Sequence, residues 1–302
     1  MSRASEQSRL WSPAYWPAWI GVAIMRVVNG LPWPEKRLLA RGLAWLVFHG
    51  VGIRRPVVFT NLRLCFPDRT TAEITALARA HYDALALGIF EVCAAWWSPA
   101  EDLPPHRIVG LEHLRAAIGR GRGVLLLTAH FTTLEIAGRY VALHHPLGCL
   151  YRDPNHPVFA HLMRGQRERH MSVAVHFDDL RGLVRALRAN QATWYAPDQG
   201  KRSKSSEILP FFGVPAITNT ATGKIADMTG AAVVPFFVKR EADHSYTLTV
   251  LPALADFPTA DPAADAIRIN RLIEEHVRAA PDQYFWVHRR FKARGPGYPE
   301  VY

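Results

Sequence analysis

The feature that most constrains this chain is an alternation of short apolar runs and helical stretches that begins at residue 123. Short apolar runs separated by helices are typical of parallel strands, because each return to a parallel sheet requires a crossover. The predicted strands are 123–128, 149–152, 173–177, 192–197, 232–238 and 246–252, and the predicted helices are 132–144, 157–170, 179–190, 219–229 and 261–279. The pattern predicts an α/β fold with a mostly parallel central sheet and helices on both faces.

The residues before this alternation have a helical period. Residues 35–52 and 71–96 are predicted to form helices, and the second begins with Thr-Ala-Glu, a sequence that favours a helix start. With 302 residues, of which 49% are hydrophobic, the chain can bury a substantial core. We expect a catalytic domain over residues 35–302, preceded by a membrane anchor over residues 1–34.

The anchor is predicted from the uncharged segment "LWSPAYWPAWIGVAIM", residues 10–25, which follows Arg3 and Arg9. A spanning helix needs about 20 apolar residues, so this segment is short, and Pro17 interrupts it. Its tryptophans and tyrosine are typical of a membrane–water boundary, where basic residues meet anionic head groups. We therefore favour an uncleaved, membrane-embedded anchor over a core helix or a signal peptide, which would need a cleavage site.

The net charge of +10 favours an anionic partner such as a phospholipid surface, an acidic protein or a nucleic acid. Zinc-finger spacing and RNA-binding aromatic motifs are missing from the sequence, so we expect no nucleic-acid partner. The three cysteines, Cys65, Cys93 and Cys149, are widely spaced in apolar surroundings. This spacing predicts buried thiols in a reducing compartment rather than a disulfide framework or a zinc site.

The first candidate for chemistry is "LLLTAHFTTLEIAG", residues 125–138, in which His130 and Glu135 follow a predicted strand. The two can converge if His130 lies on the loop and Glu135 in the first helical turn. A carboxylate on the imidazole would fix its tautomer and stabilise the imidazolium. The competing interpretation is a capping box formed by Thr132 and Glu135, which would explain the glutamate without catalysis.

The sequence offers no enzyme nucleophile to accompany this histidine. It contains no GxSxG, HExxH or CxxC motif, and "GRGRGV" (119–124) precedes its strand, whereas a dinucleotide-binding loop follows one. We therefore expect neither a metal nor another cofactor. A histidine and a carboxylate without a nucleophile are suited to direct transfer, in which the histidine activates a hydroxyl group of the substrate.

Further polar residues lie beyond the predicted strands. Arginine can bind phosphate or stabilise an oxyanion, although each arginine here could also belong to a solvated helix face. Asp198 either lines the site or forms an ordinary turn. The candidate substrate-binding residues are Arg152, Arg164, Arg169, Asp198, Lys201 and Arg202. The apolar segment 211–240 is interpreted as core, or as the lining of a hydrocarbon channel, and His288 as a packed residue.

Seven motifs occur in the order of a known family: "YWPAWIG" (15–21), "NLRLCFPD" (61–68), "AHFTTLE" (129–135), "YR" (151–152), "WYAPDQG" (194–200), "PFFGVPAITNTAT" (210–222) and "QYFWVHRRFK" (283–292). Through them the chain resembles the late, or secondary, acyltransferases of lipid A biosynthesis, the lauroyl/myristoyl transferase family of Gram-negative bacteria. The resemblance covers nearly the whole chain. It implies a glycerolipid-acyltransferase-like fold.

The resemblance also implies an inner-membrane enzyme whose catalytic domain faces the cytoplasm. It would transfer a fatty acyl group from acyl carrier protein to the hydroxyl of a primary 3-hydroxyacyl chain on a Kdo-bearing lipid A precursor. The family's H-x4-D/E motif falls on His130 and Glu135, and its functional arginine on Arg167. Asp198 falls in the family's "APD" turn, but "PDQGKRSK" departs from the longer "PDHDYG"-like stretch of other members.

Two alternatives remain open from the sequence. One is an acyltransferase with the same chemistry that acts on another membrane lipid, such as a lysophospholipid or an aminolipid. The other is a non-catalytic membrane scaffold that binds acyl carrier protein or anionic lipid.

Overall fold

A seven-stranded, mostly parallel sheet forms the centre of the molecule, as the sequence predicts. The computed structural model describes residues 10–200, 202–295 and 297–302. The strands are β1 (His106–Val109), β2 (Val124–Leu127), β3 (Leu147–Tyr151), β4 (Val173–His176), β5 (Ala192–Tyr195), β8 (Ala232–Arg240) and β9 (Tyr246–Val250). Their order in the sheet is β1-β9-β8-β2-β5-β3-β4, and all neighbours are parallel apart from β8 and β9.

Helices precede the sheet and connect its strands. They are α1 (Trp16–Asn29), α2 (Trp33–Trp45), α3 (Arg55–Cys65), α4 (Thr71–Trp97), α5 (Leu111–Ile118), α6 (Leu134–His144), α7 (Pro157–His170), α8 (Leu180–Arg188), α9 (Ala221–Thr229) and α10 (Pro262–Ala279). A π-helical extension, Leu46–Val51, follows α2. Each helix predicted from residue 132 onward is present, with ends that differ by a few residues.

The central strand β2 shows how the sheet is covered. Its four residues are fully buried, and they belong alternately to two hydrophobic clusters. Leu125 and Leu127 lie in the cluster that includes Leu62, whereas Val124 and Leu126 lie in the one that includes Tyr140. Because successive side chains of a strand point to opposite faces, both faces of the sheet are packed against helices.

Two predicted helix starts have different outcomes. At α4, Thr70 and Glu73 form a capping box, in which each side chain bonds the other residue's backbone N–H. At α6, the capping box predicted from Thr132 and Glu135 is not formed. That helix begins one residue later than a Thr132 cap requires, and its N-cap Thr133 makes no side-chain cap bond. The Thr132 hydroxyl bonds to none of the residues that the structure describes.

Two β features were not predicted. The short strand β1 follows a proline pair, and its alternation of half-buried and exposed residues gives no continuous apolar run. The segment expected to be core or a channel lining instead begins with a hairpin of β6 (Ser206–Phe211) and β7 (Val214–Asn219). Its turn places Phe212 and Gly213 at positive φ, and Phe211 and Ala216 are fully buried. The core interpretation of that hairpin is therefore correct.

The N-terminal helices expose apolar side chains although both pack against α4. Trp16, Ile20, Ile24 and Val27, at helical spacing along α1, are each more than half exposed, and we call them the α1 apolar stripe. Exposed apolar residues continue through Leu38, Trp45, Leu46 and Val51. None of the helices described is long and apolar enough to cross a bilayer. The division of the chain at residue 34 stays a prediction.

Candidate active site

Sheet register brings two distant polar residues together beyond the ends of neighbouring strands. In the parallel pair β2 and β5, Leu127 lies opposite Tyr195. His130 follows Leu127 by three residues, and Asp198 follows Tyr195 by the same interval. Because parallel strands end at the same edge of a sheet, the two side chains project into one space. The Thr128 N–H continues the ladder by donating to the Tyr195 carbonyl at 2.9 Å.

His130 and Asp198 are in direct contact. The imidazole Nδ1 lies 2.6 Å from Asp198 Oδ1, and the His130 backbone N–H lies 3.2 and 3.1 Å from the two carboxylate oxygens. The Tyr284 hydroxyl donates to Asp198 Oδ2 at 2.9 Å. Asp198 is buried, whereas the His130 side chain is 29% exposed. The arrangement therefore has a fixed carboxylate behind a histidine that solvent can reach.

The ionisation of Asp198 determines the histidine tautomer. Burial would raise the pKa of this carboxyl, but the His130 charge and the hydrogen bonds from His130 and Tyr284 outweigh it and lower the pKa to about 2. An ionised carboxylate only accepts hydrogen bonds, so His130 Nδ1 must carry a proton. The other ring nitrogen, Nε2, then holds the lone pair of a neutral imidazole and can act as a base.

A C-terminal segment holds the loop that carries His130. The Thr132 N–H donates to the Gln283 carbonyl at 2.8 Å, and the Phe285 N–H donates to the His130 carbonyl at 3.0 Å. Phe131 and Tyr284 form an isolated antiparallel bridge between these bonds. The three loop residues thus pair with three residues that lie about 150 positions later in the chain.

The predicted contact between Glu135 and His130 is not observed. Glu135 instead accepts from Trp96 Nε1 at 3.1 Å and forms a close ion pair with Arg167 Nη2. The reason is geometric: α6 begins at Leu134, so Glu135 lies in its first turn and extends toward α7, while Asp198 occupies the imidazole Nδ1. In the structure His130 is therefore paired with Asp198 and not, as predicted, with Glu135.

Arg167 is a buried residue, 8% exposed, on the last turn of α7. Its guanidinium carbon lies 5.8 Å from the Tyr151 ring centroid and 6.0 Å from that of Trp194. Burial opposes its charge, but the Glu135 carboxylate outweighs burial and raises the Arg167 pKa. Glu135 and Arg167 therefore form a second charged unit, and no hydrogen bond or ion pair between described residues joins it to His130.

Among the described residues, none of the remaining candidates forms a hydrogen bond or ion pair with His130. Arg164 donates to Asp153 at 2.9 Å, and Arg152, Arg169 and Arg202 are exposed. Lys201 lies outside the described residues. The thiols of Cys65, Cys93 and Cys149 are all free and buried, as expected, and burial raises the pKa of each. In residues 10–200, 202–295 and 297–302, no group of three or more potential ligands could hold a metal ion.

Two features of this site were not predicted. Asp198 was a candidate without its partner, although the equal offsets of His130 and Asp198 from the strand ends contained that information. Tyr284 was named only within a motif, because nothing local connects a tyrosine near the C-terminus to a loop after β2. His288 is half-buried, as expected for a packed residue, and its Nε2 is buried without a partner among described residues.

Comparison with known proteins agrees with the resemblance. A family model described as bacterial lipid A biosynthesis acyltransferase matches residues 3–293. The lipid A biosynthesis lauroyltransferase of Escherichia coli K12 is 34% identical over 293 residues, covering 96% of each chain. The lipid A biosynthesis palmitoleoyltransferase of the same organism is 31% identical, covering 96% of this chain and 95% of its own.

A solved structure, the 1-acyl-sn-glycerophosphate acyltransferase PlsC from Thermotoga maritima, aligns with 82% of this chain and 97% of its own at 10% identity and a TM-score of 0.39. A similarity at that level does not bear on the assignment, which depends on the family model and the relatives. The chain belongs to the bacterial lipid A biosynthesis acyltransferase family and is an acyltransferase.

Proposed function

We propose that this enzyme transfers a fatty acyl chain from acyl carrier protein to the hydroxyl of a primary 3-hydroxyacyl chain on a lipid A precursor. The observation that carries the chemistry is the 2.6 Å contact between His130 Nδ1 and Asp198 Oδ1, which leaves Nε2 as a base on a partly exposed ring. The acceptor class is supported by the family and by relatives named for lipid A biosynthesis.

The reaction needs one base and no enzyme-bound intermediate. His130 Nε2 takes the proton of the acceptor hydroxyl while its oxygen attacks the thioester carbonyl. The tetrahedral intermediate collapses, the C–S bond breaks, and the departing sulfur receives the proton from Nε2. Asp198 stabilises the imidazolium that exists between these two proton transfers and holds the ring in position.

The second charged unit has a different role in this proposal. Because Arg167 is buried and neutralised by Glu135, we assign these residues to holding α6 against α7, where α6 continues the loop of His130. Arg152 and Arg202 are exposed cations that extend from the segments after β3 and β5. With Lys201, they are the proposed contacts for the phosphate groups of the acceptor.

An acidic carrier protein suits the helix α8. Its Arg181 and Arg185 are exposed, and neither forms a salt bridge with another described residue. The helix follows β4, which lies two strands from β5 in the sheet, and the preceding Phe177 is 43% exposed. A cationic surface with an apolar contact favours an acidic partner through steering and complementarity.

The proposed location is the inner membrane, with the catalytic domain on the cytoplasmic side. The α1 apolar stripe supports it, since four large apolar side chains exposed along one helix face are unusual on a soluble surface. Arg26, Arg37 and Arg41 lie on the same two helices and suit anionic head groups. We therefore propose that α1 and the exposed residues of α2 lie in the membrane interface.

The catalytic proposal is tested by His130→Ala. We expect the rate of acyl transfer from acyl carrier protein to a defined lipid A precursor to fall by about 10³-fold or more, since the only proposed base is lost. The matched control is His161→Ala, an exposed histidine on α7, which should retain its rate. Parallel assays with acyl-coenzyme A as donor and with a lysophospholipid as acceptor test the substrate classes. Normal turnover by folded His130→Ala would sink the proposal.

The membrane proposal is tested by the double variant Ile20→Ser/Ile24→Ser. Removing two exposed aliphatic side chains of the α1 apolar stripe should weaken co-sedimentation with anionic phosphatidylglycerol vesicles by tenfold or more, as about 1.5–3 kcal/mol is at stake per buried aliphatic side chain. The control is Val109→Ser/Ile208→Ser, which removes two aliphatics of comparable exposure elsewhere. Equal weakening by both pairs would refute the role of α1.

A further inference from the structure

The segment 283–288 reaches the catalytic carboxylate from the far end of the chain. We infer that Tyr284 is a positioning residue for acyl transfer: its hydroxyl fixes the orientation of Asp198 and, through Asp198, the hydrogen bond on His130. The inference rests on the proposed function, because it presumes that His130 is the base. Tyr284 itself touches neither substrate nor the reacting atoms in this scheme.

The hydrogen bonds of Asp198 show what Tyr284 adds. Oδ1 accepts from His130 Nδ1 at 2.6 Å, and the backbone N–H of His130 reaches both oxygens. Within the described chain, Tyr284 is the only residue besides His130 that donates a hydrogen bond to this carboxylate. Its hydroxyl lies 2.9 Å from Asp198 Oδ2. Without it, every donor to Asp198 would come from His130, the residue that Asp198 has to orient. The Tyr284 hydroxyl therefore fixes the carboxylate from a segment other than the loop that carries His130.

Tyr284 can hold Asp198 in one orientation because packing fixes its own ring. It is 3% exposed and packs edge-on against Phe131 and Trp286, with centroids 5.7 and 4.8 Å away. Burial and the Asp198 charge raise its pKa well above the ordinary value, so the hydroxyl keeps its proton and always donates. The Tyr284 hydroxyl therefore remains a donor to the Asp198 carboxylate at neutral pH.

The backbone around Tyr284 is held from two other elements. On one side, the Gln283 side chain donates to the Arg240 carbonyl at 2.9 Å and accepts from its N–H at 2.8 Å, at the end of β8. On the other, Asn61 of α3 donates to the carbonyls of Trp286 and His288 at 2.6 and 2.8 Å. These bonds fix the register of the segment, so the hydroxyl cannot move along the His130 loop.

Loss of the tyrosine hydroxyl has a defined chemical effect. A carboxylate that accepts fewer hydrogen bonds is less stabilised by them, so it becomes a stronger acceptor for the His130 imidazolium. This favours the protonated form of His130. The acid limb of the rate profile should then move to higher pH, while looser positioning lowers kcat. The other titratable groups that act on Asp198, Tyr284 or His130 are Tyr195, His288, Arg290 and Cys65, and the substitution leaves them in place.

The test is Tyr284→Phe in the full chain, with acyl carrier protein as donor and the lipid A precursor as acceptor. The control is Tyr140→Phe, which also removes a fully buried hydroxyl but one that donates to the Pro104 carbonyl at 2.9 Å. For Tyr284→Phe we expect kcat to fall about tenfold, the scale of one hydrogen bond to a charged group, with little change in KM. The acid limb of kcat/KM should shift upward in pH. Tyr140→Phe should leave both the limb and kcat near the parent values.

An unshifted acid limb with parental kcat, or an equal loss of kcat in both variants, would overturn the inference. The acid limb is measured only at pH values where circular dichroism shows Tyr284→Phe to be as folded as the parent, so a lower melting temperature does not remove the test. The two proposals also fail separately. Normal turnover by His130→Ala removes the proposed function, whereas inactive His130→Ala with a parental Tyr284→Phe removes only the role of Tyr284.

Discussion

Two carboxylates lie close to the loop after β2, and they differ in what they hold. Asp198 is buried behind the solvent-accessible His130 and accepts its bonds from that histidine and from Tyr284. Glu135, five residues from His130 in sequence, holds the buried Arg167 and accepts from Trp96. In the proposed mechanism, one carboxylate prepares a base for substrate and the other ties two helices together. Nearness along the chain therefore does not identify the carboxylate that contacts His130, whereas strand register does.

Among the substitutions that test the different roles of the two carboxylates, Asp198→Asn is expected to have the largest effect. An amide cannot stabilise the imidazolium and permits the wrong ring tautomer, so we expect kcat to fall by about 10³–10⁴-fold with the fold retained. Steady-state rates and far-UV circular dichroism measure the two outcomes. If Asp198→Asn keeps its rate while Glu135→Gln loses it, the roles of the two carboxylates are reversed.

Glu135→Gln should affect stability more than catalysis. Removing one partner leaves the Arg167 charge buried and uncompensated, which costs about 3 kcal/mol of the free energy of unfolding. We expect kcat to fall by tenfold or less, through displacement of α6. Glu241→Gln is the matched control, because it breaks an exposed pair with Lys239 at 2.9 Å and should cost less than about 1 kcal/mol. Urea unfolding compares them, and equal losses would contradict the burial argument.

The smallest expected effect is a loss of folding stability in mild acid that is caused by His288. Burial is the main cause that lowers the pKa of His288 to about 4, so between pH 6.5 and 4 the unfolded chain binds a proton that the folded chain does not. The free energy of unfolding should therefore decrease as pH falls through this window, by about 2 kcal/mol for this group at pH 5. Arg167 causes no such decrease in the free energy of unfolding, because its pKa is raised and it stays charged throughout this pH window.

Replacing His288 by Gln should reduce the difference in unfolding free energy between pH 7 and pH 5. His161→Gln, at an exposed position on α7, is the control. Urea titrations at the two pH values give the comparison. An unchanged pH dependence in His288→Gln would show that this histidine is already protonated in the folded protein at pH 5.

The elements of the sheet were predictable because their residues repeat a local signal. The four fully buried residues of β2 form an apolar run that predicts a strand from local sequence alone. Thr70 and Glu73, three residues apart, likewise mark the start of α4. The strand β1 and the hairpin of β6 and β7 were missed, since the first lacks an apolar run and the second contains Pro210 and Pro215.

The site was predictable in its residues but not in its pairing. His130 and Asp198 could each be named from a strand end, yet their contact depends on which strands are neighbours, and β2 and β5 are separated by two other strands in sequence. The contribution of Tyr284 depends on an even longer connection. Glu135 was chosen as the partner because a short spacing is visible in sequence, while the direction of its side chain is set by Arg167 and Trp96.

The pairing of residues 130–132 with residues 283–285 also sets an order of events during synthesis. Domains form as the chain emerges from its N-terminus, so α1 leaves the ribosome long before residues 283–285. A growing chain can present its apolar stripe to a bilayer while its histidine loop still lacks the tyrosine and the backbone bonds that steady it. Under the proposed membrane role of α1, a nascent chain would therefore be attached to the bilayer before its histidine loop is complete.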